Sequence, residues 1–355
     1  MYQKMILIIG LAALLALACG GPSALATPDM AGISSLTVMT HDSFAVREGL
    51  ISDFENENNV AVTFLRSGDS GAALNRAILS KEAPMADVFY GVDNTFLSRA
   101  LYADIFEPYD SPVLSKIPTV YQLDEGKRAL PVDYGDVCLN YDRAYFEQHG
   151  LAVPQSLEDL IEPQYKGLLV VENPATSSPG LAFMLATVAQ FGPQGYLDFW
   201  RSLRENEVVV VNDWETAYYT NFSGSSGQGS QPLVVSYSTS PAAEVYFSAE
   251  PVDESPTGAI TAPGTCFRQV EFAGILQGTT RRAMAEVFVD FLLGVYFQDE
   301  MPLQMFVFPV HDEARLPDVF NRHAQAADQP AALLPADIDA NRDAWIQQWE
   351  EVVLR

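Results

Sequence analysis

The sequence predicts an α/β fold of two lobes, and three observations predict it. From residue 35 onward, short apolar runs alternate with helical spacing at brief intervals, the pattern of a largely parallel sheet with covering helices. Two stretches, 130–135 and 266–272, have the composition of strands passing between lobes. Two further apolar runs end abruptly in an aromatic plus small polar groups: Val208–Val211 in Asn212, Asp213 and Trp214, and Leu233–Val235 in Tyr237, Ser238, Thr239 and Ser240. In open α/β sheets, ligands bind outside the carboxyl ends of the strands. A chain of 355 residues, 48% of them apolar, can bury the core that two lobes require.

Taken in order, Met5–Ala18 is an apolar run behind Lys4, too short to span a bilayer comfortably and characteristic of a targeting segment. It ends LLALACGG, which resembles a lipoprotein signal that would leave Cys19 acylated, so residues 1–19 are set apart from the fold. Residues 20–34, rich in Gly, Pro, Ser and Ala, read as a tether. The protein is then expected to work outside the cytoplasm, in the periplasm or at the cell surface, anchored by lipid. Strands are expected at Leu36–Met39, Val60–Leu65 and Asp87–Tyr90. The first closes in Thr40, His41, Asp42, Ser43 and Phe44, and the second breaks at Gly68-Asp69-Ser70-Gly71 before a helix. The first crossing, Leu130–Gly135, leads into a strand at Val137–Tyr141; Asp133-Tyr134-Gly135 is either a hinge or presents Tyr134 to a cleft.

In the second lobe, Ser156 and Asp159 suggest a capped helix over Ser156–Ile161, followed by a strand at Gly167–Val171. Helices are expected from Leu181 and over Gly195–Glu205, and residues 223–230 (SGSSGQGS) as a low-complexity loop. The strand Cys266–Phe272 returns to the first lobe. Helices then follow at Arg281–Leu293, Tyr296–Met301 and Asn341–Val353, where Trp345 and Trp349 at i, i+4 form a packing face. The resulting division is 35–132 with 270–355 as lobe 1 and 133–269 as lobe 2.

A formal charge of −26 argues against a nucleic-acid partner, whose phosphates need a positive stripe, and favours a solvated acidic surface. Metalloprotease, nucleophile-elbow and phosphate-loop motifs do not occur, and neither Cys138 nor Cys266 has a neighbour at metal-ligand spacing. In an oxidising compartment those two cysteines either form a disulfide or remain buried thiols. The turn Pro174–Gly180, with Ser177 and Ser178, and the turn at Asp69-Ser70 each precede a helix. Such turns serve either as ordinary caps or as seats for an anionic group.

With these residues in place, the chain resembles the thiamine-binding solute-binding proteins of ABC importers. The resemblance runs from residue 35 to the C-terminus. It is carried by LTVMTHDSFA, ADVFYGVDN, PVDYG, ENPATSSPGL, VVVVNDWETAY, VVSYSTSPA, FRQVEFA and ANRDAWIQQWEEVV. It implies a type II periplasmic-binding-protein-like fold with hinge-linked mixed sheets. It also implies a monomer that closes on thiamine or a thiamine phosphate, delivers it to a permease and its ATPase, and uses no cofactor or catalysis. By position, Asp69-Ser70 and Ser177-Ser178 match contacts to the hydroxyethyl or phosphate end, Trp214 a stacking indole, and Tyr237 to Pro241 a second binding segment. Phe306 stands at a family tryptophan and His41 at a family tyrosine, while Asp42 or Asp213 could offer a carboxylate to the cation. Other readings are a carrier of ferric iron, for which Tyr218-Tyr219 is the attraction, a polyamine carrier, and a secreted thiamine-degrading enzyme with a nucleophilic cysteine.

Overall fold

Two long strands organise the sheet. β5 (Leu130–Asp142) and β10 (Phe267–Leu276) lie antiparallel at its centre. In this computed structural model, residues 34–226 and 228–355 are described, so the targeting segment, Cys19 and nearly all of the tether lie outside the described residues. One flank consists of β1 (Ser34–Thr40), β2 (Val60–Arg66) and β3 (Val88–Asp93), all parallel to one another. The other consists of β6 (Leu169–Glu172), β7 (Val209–Val211) and β8 (Leu233–Tyr237), again parallel. The order is β2-β1-β3-β10-β5-β8-β6-β7. β4 (Phe106–Glu107) adds to β10, while β9 (Thr257–Ile260) and β11 (Phe308–Pro309) add to β5. The expected parallel character thus holds within each flank, and an antiparallel pair joins the flanks into one mixed sheet.

The pairing of β5 divides along its length. Leu130–Asp133 pairs with Ala273–Glu271, beside the β3 contacts of β10, whereas Val137–Tyr141 pairs with β8. A bulge between Glu271 and Phe272 marks the change. Cross-links hold the two strands there. Cys138 and Cys266 form a disulfide with Cα atoms 4.3 Å apart, and Arg268 grips buried Asp136 with two 2.8 Å bonds.

Local sequence explains most departures from expectation. The two helices foreseen in 181–205 form one, Ser178–Glu205, kinked where Gly192 adopts φ 75° ahead of Pro193. Glycine tolerates that angle, and proline cannot donate to the helix before it. The stretch after Ser156 forms only a 3-10 turn, Glu158–Ile161, because Pro163 follows at once. Its Ser156–Asp159 cap is present, with bonds of 3.1 and 3.3 Å. Ser223–Ser226 makes a helical turn where a loop was expected. Trp349 is fully buried and meets Trp200 edge-on at 5.3 Å, fixing the C-terminal helix Pro335–Val353 to Ser178–Glu205.

Candidate functional site

A cleft of about 720 Å³ opens at the ends of β1, β2 and β8, beside the crossing of β5 and β10. That size lies within the usual range for small-molecule sites. Alternation along strands brings Asp133 and Gly135 of β5, and Gln269 and Glu271 of β10, to the same side, and all four line it. Trp214, from the segment after β7, and Tyr237, ending β8, supply aromatic faces. Tyr218, Tyr219, Phe247 and Phe306 add more.

The Trp214 indole is half-buried, 5.2 Å from the Tyr218 ring and nearly parallel to it, and its Nε1 donates to Ser236 Oγ at 2.9 Å. Tyr218 itself is buried because its hydroxyl finds Glu244 Oε1 at 2.8 Å, whereas Tyr219 is largely exposed. Tyr237 Oη donates to Gln269 Oε1 at 3.0 Å. Gln269 Nε2 donates in turn to Ser178 Oγ at 2.6 Å, and that hydroxyl donates to Asp93. A relay of neutral and acidic groups therefore runs from β8 through β10 to β3.

Two helix starts meet the cleft. Asp69 caps the helix Ser70–Leu79, accepting from Ser70 N at 2.6 Å. Burial raises its pKa, against the Ser70 N–H and the His41 charge. Ser70 Oγ is bound to Gly91 O at 2.6 Å. Ser178 opens the helix Ser178–Glu205. Behind it, burial raises the Asp93 carboxyl to about 7 despite two bonds from Thr95. His41 is buried with Nε2 3.6 Å from Glu271 Oε1. Burial opposes its protonation, but Glu271, with smaller help from Asp69 and Asp42, wins and raises its pKa.

Thr239 and Ser240 also line the cleft. Thr239 Oγ1 donates to the carbonyl of Phe306, whose φ of 54° is left-handed, and Ser240 Oγ lies 2.9 Å from Ser236 Oγ. Five expected residues do not line it. Asp42 is exposed, its carboxylate taken by Gly68 N at 2.9 Å. Ser177, Ser238 and Pro241 are buried away from the cavity. Ser238 turns the opposite way from Tyr237, and Pro241 sits in the first turn of the helix Ser240–Tyr246, where its missing N–H costs nothing. Asp213 is likewise withdrawn, capping Thr216 N at 2.7 Å. Tyr134 is sandwiched between Tyr121 and Phe308 rather than presented to the cleft.

In place of Asp42 and Asp213, the lining carboxyls are Asp69, Asp133, Glu244 and Glu271, three of which the sequence reading missed. Among the described residues, no Lys or Arg lines the cavity. Asp133 and Glu271 stood in the sequence as acidic residues within the two strand-like crossings, 130–135 and 266–272. Among the described residues, no His, Cys, Asp and Glu trio is arranged to hold a metal ion.

A mixed sheet with a ligand-sized cleft at the strand ends beside a strand crossing is the architecture of type II periplasmic binding proteins. Residues 83–330 match the family described as bacterial extracellular solute-binding protein, and the chain belongs to that family. It is 31% identical over 330 residues to the thiamine-binding periplasmic protein of Salmonella typhimurium, covering 90% of this chain and 94% of that one. The Escherichia coli thiamine-binding periplasmic protein is 30% identical over 327 residues, covering 90% and 94%. A solved periplasmic thiamin binding protein superposes with a TM-score of 0.78 at 26% identity, covering 90% of this chain and 96% of that one.

Proposed function

We propose that this protein captures thiamine outside the cytoplasm and hands it to the permease and ATPase of an ABC importer, with no chemistry of its own. One observation carries the reading: the cleft combines a bank of aromatic faces with four carboxyls and, among the described residues, no Lys or Arg. Thiamine brings a fixed thiazolium charge and a flat aminopyrimidine. Trp214 and Tyr237 would stack on it, each stabilising a cation by about 0.5–2 kcal/mol. Micromolar binding requires about −8 kcal/mol, so the carboxyl field, hydrogen bonds to the pyrimidine and exclusion of water supply the rest. The hydroxyethyl end would face Asp69, Ser70 and Ser178, where a phosphate ester would meet two helix starts. The names of the similar proteins support the same ligand.

The lobes would be 35–132 with 270–355 and 133–269, moving about the Asp133–Asp136 crossing. The chain would act as a monomer whose closed, liganded form the permease recognises. Lipid on Cys19 would anchor it to the membrane. A thiamine-degrading activity would need a thiolate, and the disulfide between Cys138 and Cys266 ties up both cysteines of the described residues.

Calorimetric titration with thiamine, its mono- and diphosphate, spermidine and Fe(III) tests the proposal. Saturable binding of one thiamine per chain is expected. Binding of spermidine or Fe(III) without binding of thiamine would overturn it.

A further inference from the structure

The relay and the aromatic faces leave one group unused. Asp133 is fully buried, yet it lines the cleft, and its Oδ1 has no hydrogen-bond partner. Directly across the β5–β10 pairing stands Glu271. A single hydroxyl, Tyr90 Oη, donates to Asp133 Oδ2 and lies 3.5 Å from Glu271 Oε2, so the two carboxyls sit against one donor. A fully buried carboxyl set beside a second one favours its protonated form.

We propose that Asp133 keeps a proton in the empty cleft, and that entry of the cationic ligand expels it, leaving Asp133 beside Glu271 as the counter-charge of the bound cation. This rests on the proposed ligand being a fixed cation.

The surroundings favour a retained proton. Burial first, and the Glu271 charge second, hold Asp133 well above the usual carboxylate range. The groups facing the pair are Tyr90 from β3, His41 after β1, Tyr237 at the end of β8, and the carboxyls of Asp69 and Asp93. β11 brings only Phe308 and Pro309 against this part of β5. His41 is the one group among these that becomes a cation on protonation, and it lies against Glu271 rather than Asp133. A thiazolium placed beside the pair supplies the missing positive charge, and the Asp133 proton leaves to buffer.

Titrating thiamine into the protein at pH 7 in buffers of different ionisation enthalpy tests this. The observed heat should vary linearly with buffer enthalpy, with a slope corresponding to release of about one proton per thiamine. Asp133→Asn should remove the slope and weaken binding at least tenfold, and Glu271→Gln should reduce the slope as well. If Asp133→Asn fails to fold, Glu271→Gln carries the test alone. His41→Gln should keep the slope. Thiamine binding with no buffer dependence, or with proton uptake, overturns the inference but leaves the ligand intact. Loss of the slope in His41→Gln alone would assign the proton to the imidazole and also overturn it. No binding heat in any buffer removes both the ligand reading and this inference.

Discussion

The Trp214 ring lies 5.2 Å from that of Tyr218 with only 21° between their planes, and the Tyr218 hydroxyl is held by Glu244 at 2.8 Å. The indole therefore presents one face to the cleft from a fixed backing, a pre-organised surface that needs little ordering when a ligand arrives.

Trp214→Ala should weaken thiamine binding at least tenfold, about 1.4 kcal/mol, by calorimetry. The same change uncovers Tyr218 and the small cluster of Ala217, Phe222 and Val234, so the melting temperature should fall by a few degrees. Trp214→Phe should restore most of the stability but less of the affinity, since only the indole bonds Ser236. Equal affinity of both variants and the native protein would place the ligand elsewhere.

Gln269 bridges Tyr237 and Ser178. Gln269→Leu leaves the Tyr237 hydroxyl without its acceptor and takes a donor from Ser178, which keeps its bond to Asp93, and urea denaturation should show a loss of about 1–3 kcal/mol. Thiamine binding should weaken too, because Tyr237 loses the bond that orients its ring.

Buried carboxyls make the empty protein an acid-tolerant one. Burial raises the pKa of Asp93 to about 7, and those of Asp133 and Glu172 well above the usual range. Such groups hold protons in the folded state that the unfolded chain has released. Their contribution is complete below about pH 4 and is lost as pH rises toward the folded values. Melting temperatures without ligand should therefore be higher at pH 5 than at pH 7.5. Asp93→Asn, which mimics the protonated form, should flatten the difference, by an amount on the order of a few kcal/mol. A melting temperature that rises from pH 5 to 7.5 would contradict this.

The disulfide closes a sequence separation of 128 residues between the central strands. Replacing Cys138 and Cys266 with serine should cost about 2–5 kcal/mol in chemical denaturation. Thiamine affinity should change much less, because neither cysteine lines the cleft.

Much of this site was legible because its parts lie at the ends of single apolar runs. Tyr237 ends a strand, and Trp214 and Ser178 stand in the turns that follow one, so each belongs to a local feature of the sequence. Asp42 and Ser238 fall outside the cleft lining for a related reason: successive side chains at a strand end turn opposite ways, and composition does not say which turns inward. Asp133, Gln269 and Glu271 lay in segments that looked like connectors. Their meeting depends on the register of β5 against β10 and on the bulge beside Glu271, facts about residues more than 130 positions apart. The kink at Gly192 was visible as Gly-Pro, but that the helix resumes beyond it depends on Trp200 packing against Trp349.

A crystal structure of the protein grown with saturating thiamine decides where the ligand sits. One thiamine is expected in the cleft, its thiazolium against the Trp214 and Tyr237 rings and beside Asp133 and Glu271. An empty cleft, or a vitamin bound at another surface with Trp214 untouched, would contradict it.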